Sequence, residues 1–584
     1  MKRFKTSSLL QEAFSQYRSI LKQERLYELY VFLFFTVFFL SSYLGLSEVL
    51  PLDDHFFHIR FAQSIPEQGL AAFTDFQSVH FSRIVAHHEH LIYYNFLFYA
   101  VLVPFSLLEP AILGIKLFGV LAMAASLTTV FLILRGLAVR YAFAWTIFFL
   151  IVLAESGILV RLLSARPFTL APVLIIALLY LLHRRRYGLS SAIVFAYFYW
   201  HTATFFLPLI LSIAYFLFDR YHRPLARPDW RIIGVPFTAT ILAVASSYLI
   251  FPGVLTYLRD ITLPVLLDAA FSGGAGVLEG AEVYGVDFFF LLPALSPLVI
   301  LLIIFGMTEF CRLIVSKKTR QEQESAAGDG NKSAVLRTTL FIGSATLFFA
   351  ALLSLRFADY FVYFCILYVG VAAEECSRYL TVSDYRFWRS VKIGVSIILT
   401  LFLMDVGPRL YKYTRDVPPY LTALAPTSWL KENLSKETLL FNVDWDAQPL
   451  LYYFVGDDFR FTTGLEPRFL YDYDERLYWI WRHIGDGKYC ETARCQESSN
   501  FASDPDREKL RVTEANRIAD AIQRDFGTDI VVTRTDRKEL IRIMDESPRF
   551  RKEYSDPENS LFVIYRVLGN GPIRSTDQGK TISQ

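Results

Sequence analysis

Residues 29–60 read LYVFLFFTVFFLSSYLGLSEVLPLDDHFFHIR and join an apolar run to a cluster of two acids, two histidines and an arginine. The run has the length of about 20 residues that a helix needs to cross a bilayer. Ionisable residues at a membrane boundary are costly and usually serve a function. This junction therefore predicts a first membrane span followed by a functional loop.

The rest of the chain repeats the apolar pattern. Of its 584 residues, 54% are hydrophobic and 16% are aromatic, which exceeds the roughly 45–50% apolar content of soluble domains. Further runs of span length or slightly shorter lie at 111–134, 141–159, 168–183, 189–199, 203–218, 232–251, 288–315, 338–354, 360–376 and 391–407. Together they predict a polytopic α-helical membrane protein with about 11 transmembrane helices. A net charge of +2 gives no indication of a nucleic-acid partner.

Basic residues set the predicted orientation. They concentrate in alternate connections such as Arg184–Arg186, which the positive-inside rule places in the cytoplasm with the N-terminus. The run 91–107 is then interpreted as an interfacial helix of a long external loop, 51–110, and 189–218 as a hairpin bent near Trp200-His201. The first span lacks a cleavage site and is expected to be retained as an anchor in a plasma or inner membrane.

The chain changes character after the transmembrane domain, 1–407. Residues 408–584 carry dense charge, and their patterns alternate between helix and strand, which is typical of an extracytoplasmic α/β domain. Helices are predicted near 427–434, 506–525 and 536–545, and strands at Thr438–Val443, Asp529–Thr533 and Leu561–Val567. Cys490 and Cys495 could form a local disulfide there or remain free thiols.

The first external loop holds the densest set of reactive side chains. They are Asp53, Asp54, His55, His58, Arg60, His80, Arg83, His87, His88, Glu89 and His90. The histidine cluster is compatible with metal ligands or acid and base groups, although a solvated loop also tolerates histidine without a function. Asp54 is the strongest candidate, because a carboxylate beside the bilayer surface can orient a nucleophile or accept its proton.

Four arginines are candidates for binding an anionic headgroup on the external side, where basic residues are scarce. They are Arg60, Arg161, Arg166 and Arg356. Guanidinium groups bind phosphate oxygens in a bidentate manner. Interfacial snorkelling is the alternative for Arg161 and Arg166. Glu155 is interpreted as a partner of Arg161 or a metal ligand, and His201 as a structural residue.

In their order along the chain, these motifs resemble those of the catalytic subunits of oligosaccharyltransferases and other GT-C class glycosyltransferases that use polyprenyl-linked sugars. The family carries a D-P-Y/F-x-H-x-R signature after its first span, and Asp54–Arg60 matches it except for His55 at the proline. Leu355-Arg356-Phe357 with Tyr360 matches the L-R-F-x-x-Y stretch, whose arginine contacts the lipid-linked phosphate. Trp445-Asp446 stands in the place of W-W-D-Y-G.

The resemblance implies a role for each of these residues. Asp54 would be the catalytic carboxylate that engages the acceptor, and Asp53 would be the second candidate for this role. Arg356, Arg166, Arg60 and Arg161 would bind the donor phosphate. Acceptor-binding or accessory roles would fall to Glu279, Glu282, Trp445, Asp446, His58 and Glu89. The reaction is expected to invert the anomeric configuration.

The sequence departs from the family in its acidic motifs. Arg161-Leu162-Leu163-Ser164 matches the family's R-x-x-S, but the carboxylate that should follow is absent from Ala165–Thr169. A divalent metal is therefore a possible but poorly supported cofactor. Arg166 could supply the positive charge that a metal would otherwise bring. The T-I-x-E motif is represented only by Glu279–Glu282. Because W-W-D-Y-G is reduced to Trp445-Asp446, N-glycosylation is not carried over.

The expected function is transfer of a sugar or glycan from a polyprenyl phosphate or diphosphate to an acceptor, a protein, lipid or glycan, at the external membrane face. One alternative is a transporter or flippase for an anionic glycolipid, although transporter sites lie near the membrane midplane. Another is a non-catalytic scaffold of the cell envelope.

Overall fold

The computed structural model describes residues 26–43, 54–69, 72, 95–224, 226–250, 254–258, 295–310, 330–379, 385–415, 420–464, 467–493, 504–556 and 560–569. These residues fall into two compact units, one ending at Arg415 and one beginning at Tyr420. The first unit is helical, and the second combines helices with a small sheet.

The first unit contains the apolar helices. They are α1 (Leu26–Tyr43), α2 (Asp54–Gln68), α3 (Phe96–Ser106), α4 (Ala111–Gly136), α5 (Ala142–Glu155), α6 (Ile158–Leu162), α7 (Ala171–His183), α8 (Tyr187–Trp200), α9 (Leu207–His222), α10 (Arg231–Ile250), α11 (Val254–Tyr257), α12 (Leu295–Phe310), α13 (Gly330–Leu353), α14 (Arg356–Tyr379) and α15 (Tyr385–Arg415). Within the described residues, seven helices are long and apolar enough to cross a membrane: α1, α4, α9 with the turn before it, α10, α13, α14 and α15. The protein is therefore an integral membrane protein.

Each predicted span overlaps one of these helices within the described residues. Four predicted spans correspond to helices that are not among the seven. These helices are α5, α7, α8 and α12, and they have 10–17 residues. The total of eleven spans thus stays a prediction. The segment interpreted as interfacial contains α3, which has 11 residues and is too short to cross a bilayer. Helix α15 continues to Arg415, past the predicted domain boundary at 407.

Burial separates the central helices from the peripheral ones. In the most apolar stretch of α14, 78% of the residues are buried, and in α4 the share is 67%, whereas in α15 it is 11%. An apolar helix that is buried all round belongs to the interior of a bundle. Helices α4 and α14 therefore form the centre of this unit, and the first turn of α14 carries Arg356.

The second unit is built around five strands. Its elements are α16 (Leu424–Asn433), β1 (Leu439–Asn442), α17 (Gln448–Val455), β2 (Arg460–Phe461), α18 (Arg468–Tyr473), α19 (Glu475–Ile484), α20 (Asp504–Arg524), β3 (Ile530–Arg534), α21 (Lys538–Glu546), β4 (Phe550–Tyr554) and β5 (Phe562–Val567). The strand order is β2-β1-β3-β5-β4. Strands β2, β1 and β3 are parallel, while β5 pairs antiparallel with β3 and β4.

All six elements predicted for this region are confirmed. They correspond to α16, β1, α20, β3, α21 and β5. Strands β2 and β4 and helices α17, α18 and α19 were not predicted. Strand β2 has only two residues, and β4 reads FRKEY without an apolar alternation, as expected of a charged edge strand.

Candidate active site

Asp54 begins α2, and its carboxylate forms an ion pair with the guanidinium of Arg166. The apolar side chains of the helix, including Phe56, Phe57 and Ile59, are buried and fix its orientation. An acid in the first turn is also favoured by the positive end of the helix dipole. The side chain of Asp54 remains 41% exposed, while that of Arg166 is 10% exposed. The carboxylate is therefore held by a buried cation and is still accessible from one side.

Arg166 lies in a short, hydrogen-bonded loop between α6 and α7. Its backbone N–H donates to the carbonyl of Ser164 (2.9 Å), and its carbonyl accepts from the N–H of Thr169 (3.0 Å). The hydroxyl of Thr169 donates to the carbonyl of Ser164 (2.5 Å). From outside the loop, the indole N–H of Trp200 donates to the carbonyl of Pro167 (2.5 Å). These bonds fix the loop backbone and thereby the start of the Arg166 side chain.

A second ion pair joins the last turn of α6, directly before this loop, to α14. The guanidinium of Arg161 donates to the carboxylate of Asp359 at 3.1 Å, and both side chains are largely buried. Asp359 is in the first turn of α14, which begins at Arg356. The sequence analysis did not select Asp359, although a carboxylate inside the apolar stretch that follows Leu355-Arg356-Phe357 was a visible signal.

The two ion pairs share one aromatic ring. The guanidinium carbon of Arg161 lies 5.2 Å from the centre of the Phe168 ring, and that of Arg166 lies 5.5 Å from it. Both distances are within the range of cation–π contacts. Asp54, Arg166, Arg161 and Asp359 therefore belong to one cluster, which joins two of the predicted arginines to the predicted acid.

The bend between α8 and α9 packs against the first turn of α14. The hydroxyls of Tyr197 and Tyr360 are hydrogen-bonded (3.0 Å), and Thr204 Oγ1 bonds with Tyr197 Oη and with His201 Nδ1, each at 2.6 Å. Arg356 begins the helix that carries Tyr360, one turn away from it. These contacts place Arg356 beside the bend. The hydrogen bond of His201 supports its interpretation as a structural residue.

Two histidines anchor α2 inside this unit. His58 Nδ1 bonds with the hydroxyl of Tyr99 (2.7 Å), and His55 Nδ1 accepts from the N–H of Ala165 (3.1 Å). Burial, aided by the charge of Arg166, lowers the pKa of His58 to about 3 and holds that of His55 well below its usual value. Both rings are therefore neutral. Arg60 follows on the same helix and is partly buried.

The prediction that Glu155 pairs with Arg161 is wrong. Glu155 forms an ion pair with Arg409 of α15 at 2.9 Å. Arg409 also contacts Asp405 one helical turn away (2.7 Å). Arg161 is instead held by Asp359, because the packing of α14 brings that carboxylate to the last turn of α6.

The described residues do not fit a metal centre. Within the described ranges, no group of three or more His, Cys, Asp or Glu side chains could hold a metal ion. The described carboxylates of the cluster, Asp54 and Asp359, both face guanidinium groups. Several predicted residues lie outside the described residues: Asp53, His80, Arg83, His87, His88, Glu89, His90, Glu279 and Glu282.

Trp445 and Asp446 lie in the second unit, after the carboxyl end of β1. Asp446 accepts from the guanidinium of Arg534 (3.3 Å), and burial raises the pKa of its carboxyl group. The neighbouring Asp444 is buried and accepts from the backbone N–H of Arg534 (3.0 Å) and from Nε of Arg537 (2.7 Å). This charged cluster therefore spans the carboxyl ends of β1 and β3, the edge at which open α/β sheets bind ligands.

Comparison with known proteins adds no further constraint. No protein-family model matches the sequence, and no curated protein matches it. The function must therefore be inferred from the geometry of the site.

Proposed function

We propose that this protein is a membrane glycosyltransferase of the GT-C class with about 11 spans, which transfers a sugar or glycan from a polyprenyl phosphate or diphosphate. The observation that carries the proposal is the cluster at the start of α2, in which the half-exposed carboxylate of Asp54 faces Arg166 beside the Arg161–Asp359 pair. A carboxylate that faces one guanidinium group, with a second in the same cluster, suits a reaction in which a nucleophile loses a proton and a phosphate departs as an anion.

Each charged group has a defined task in this reaction. Asp54 orients the acceptor and takes its proton while the acceptor oxygen or nitrogen attacks the anomeric carbon. The bond from that carbon to the phosphate oxygen breaks, and Arg166, Arg161, Arg356 and Arg60 stabilise the charge left on the phosphate. A single displacement of this kind inverts the anomeric configuration.

The arginines also supply the positive charge that a metal would otherwise bring. Arg166 is buried against Phe168, where a fixed cation interacts more strongly with a phosphate than it does in water. The proposed transfer therefore requires no step through a metal ion.

The remaining predicted residues keep accessory roles in this proposal. His58 anchors α2 through Tyr99, and Trp445 with Asp446 is expected to contribute to binding the acceptor. Cys490 is disulfide-bonded, and disulfides persist in oxidising compartments. This bond supports an extracytoplasmic position for the C-terminal domain, and with the proposed 11 spans the N-terminus is then expected in the cytoplasm.

Replacing Asp54 by Asn tests the proposal. The purified protein in liposomes is given radiolabelled polyprenyl phosphate hexoses and polyprenyl diphosphate N-acetylglucosamine, with native membranes as the source of acceptor. We expect Asp54→Asn to lower transfer at least about 100-fold, since a general base contributes about that much. Glu67→Gln, which removes an exposed carboxylate from the far end of the same helix, should retain wild-type transfer.

Two results would contradict the proposal. Undiminished transfer by Asp54→Asn would remove Asp54 from the mechanism. Movement of labelled lipid across the bilayer without a glycosidic product would support the transporter alternative. Thermal unfolding of both variants shows whether the fold is intact.

A further inference from the structure

His55 is completely buried and adjoins Asp54 in the first turn of α2. Its Nδ1 accepts a hydrogen bond from the backbone N–H of Ala165 at 3.1 Å. Ala165 immediately precedes Arg166, and Arg166 forms the ion pair with Asp54. Two neighbouring residues of α2 are thus bonded to two neighbouring residues of the loop, one through a side-chain ion pair and one through the loop backbone.

The loop is held on both sides of Arg166. The N–H of Ala165 is bound from α2 by His55, and the carbonyl of Pro167 is bound by the indole of Trp200 at the end of α8. The backbone position of Arg166 is therefore set by bonds on either side of it. Of these two bonds, only the one with His55 connects the loop to α2, the helix that carries Asp54.

The hydrogen bond specifies the tautomer of His55. Because Nδ1 accepts, the ring proton must be on Nε2 when the ring is neutral. Nε2 is buried and has no hydrogen-bond partner among the residues that the structure describes. The contact with Ala165 is therefore the polar contact through which this side chain can act, and an acceptor at the Nδ1 position should be sufficient to reproduce it.

We propose that His55 is a positioning residue that keeps the guanidinium of Arg166 at a fixed spacing from the carboxylate of Asp54. This inference rests on the proposed function of those two residues. The bond that His55 makes sets the spacing between the carboxylate and the guanidinium before a donor binds. A displacement of about 1 Å at a reacting centre can lower a rate about 100-fold. His55 thereby affects catalysis without contacting the substrate.

Two isosteric variants isolate the Nδ1 acceptor. In His55→Asn the side-chain amide occupies the position of Nδ1 and can accept from Ala165, whereas in His55→Gln it occupies the position of Nε2 and cannot. Both variants are polar and uncharged, so burial costs are similar. Gln63→Met is the matched control, because it removes a hydrogen bond from the same helix to the carbonyl of Ser106 (3.0 Å), away from the loop.

Hydrogen exchange of the full-length protein in nanodiscs measures the bond directly, without an activity assay. We expect faster exchange in peptides covering 158–170 for His55→Gln, and wild-type exchange for His55→Asn and Gln63→Met. Exchange in this segment that is unchanged in His55→Gln, or equally raised in His55→Asn, would overturn the proposal.

Transfer kinetics then test the consequence for catalysis. His55→Gln should lower kcat by about 10- to 100-fold with a smaller change in KM, and His55→Asn should restore most of the rate. A role in folding alone would lower the amount of active protein equally in both variants, and that result would also overturn the proposal. If the wild-type protein transfers none of the labelled sugars, the proposed function fails, while the exchange data still decide whether His55 holds the loop.

Discussion

At the scale of single residues, the Arg161–Asp359 pair supports the site through a buried charge. Their side chains are 13% and 3% exposed, so water solvates neither ion well and each is stabilised by the charge of the other. Breaking a buried pair by removing one member costs about 3–5 kcal/mol, whereas replacing both members is often tolerated. The pair therefore couples the stability of α14 to the position of α6, which leads directly into the loop.

This coupling gives a prediction for Asp359→Asn. The variant should lower the free energy of unfolding by about 3 kcal/mol, because the largely buried Arg161 keeps its charge and loses the carboxylate of Asp359. Unfolding in mixed micelles with increasing dodecyl sulfate measures the change. The double variant Arg161→Gln with Asp359→Asn should recover part of the loss. A double variant that is less stable than Asp359→Asn would show that the pair does not act as a unit.

Asp444 has a corresponding role in the second unit. It is 3% exposed and accepts from Arg537 Nε and from the N–H of Arg534, which joins the ends of β1 and β3. Asp444→Ala should destabilise this unit by about 2–4 kcal/mol, since both donors lose their partner. Limited proteolysis of the C-terminal unit measures the effect.

Asp536→Asn is the control for this substitution. Asp536 also pairs with Arg534 (2.9 Å), but its side chain is 61% exposed. Exposed pairs contribute about 0–1 kcal/mol. Equal sensitivity of Asp444→Ala and Asp536→Asn to the protease would mean that burial does not determine the contribution of this cluster.

At the scale of elements, the site depends on close contact between α4 and the loop. A Cβ atom added at Gly119 would lie 2.0 Å from the carbonyl oxygen of Leu163, so any larger residue must displace the loop backbone. Leu163 is between Arg161 and Arg166. The glycine therefore allows α4 to approach the segment that carries both arginines.

Gly119→Ala should for this reason reduce transfer more than it reduces stability. We expect a loss of about 10-fold or more in transfer, because the loop and its arginines move together. Gly234→Ala is the matched control in α10, where an added Cβ meets nothing within 4 Å. It should leave transfer unchanged. Initial rates and thermal unfolding of both variants distinguish the two effects, and equal rates would contradict the importance of this contact.

Most of the helices and strands could be predicted from the sequence, whereas the side-chain pairs between them could not. The lengths of the long apolar runs predicted the helices of the first unit, and short apolar runs predicted β1, β3 and β5, because these signals are local. The partner of Arg161 is 198 residues away along the chain. Helix packing determines such a pairing, and a local sequence pattern cannot predict it. Proximity in sequence favours Arg161 over a metal as the partner of Glu155, whereas the bundle pairs Glu155 with Arg409.

At the scale of the whole molecule, the proposed chemistry depends on which side of the membrane each segment faces. Transfer from a polyprenyl-linked donor at the external face requires the first loop and the C-terminal domain to be extracytoplasmic. The connection around Arg184–Arg186 should then be cytoplasmic, as its basic residues indicate. The disulfide at Cys490 agrees with this orientation.

Cysteine labelling in intact cells tests the orientation. In a background with Cys311, Cys365 and Cys376 changed to Ser, single cysteines replace Lys436 in the C-terminal unit and Arg186 in the basic connection. Both positions are exposed, and the side chain of Lys436 is 82% accessible. We expect Lys436→Cys to react with a membrane-impermeant maleimide in intact cells, and Arg186→Cys to react only after lysis. The opposite pattern would place the C-terminal unit in the cytoplasm, and transfer at the external face would then have to be abandoned.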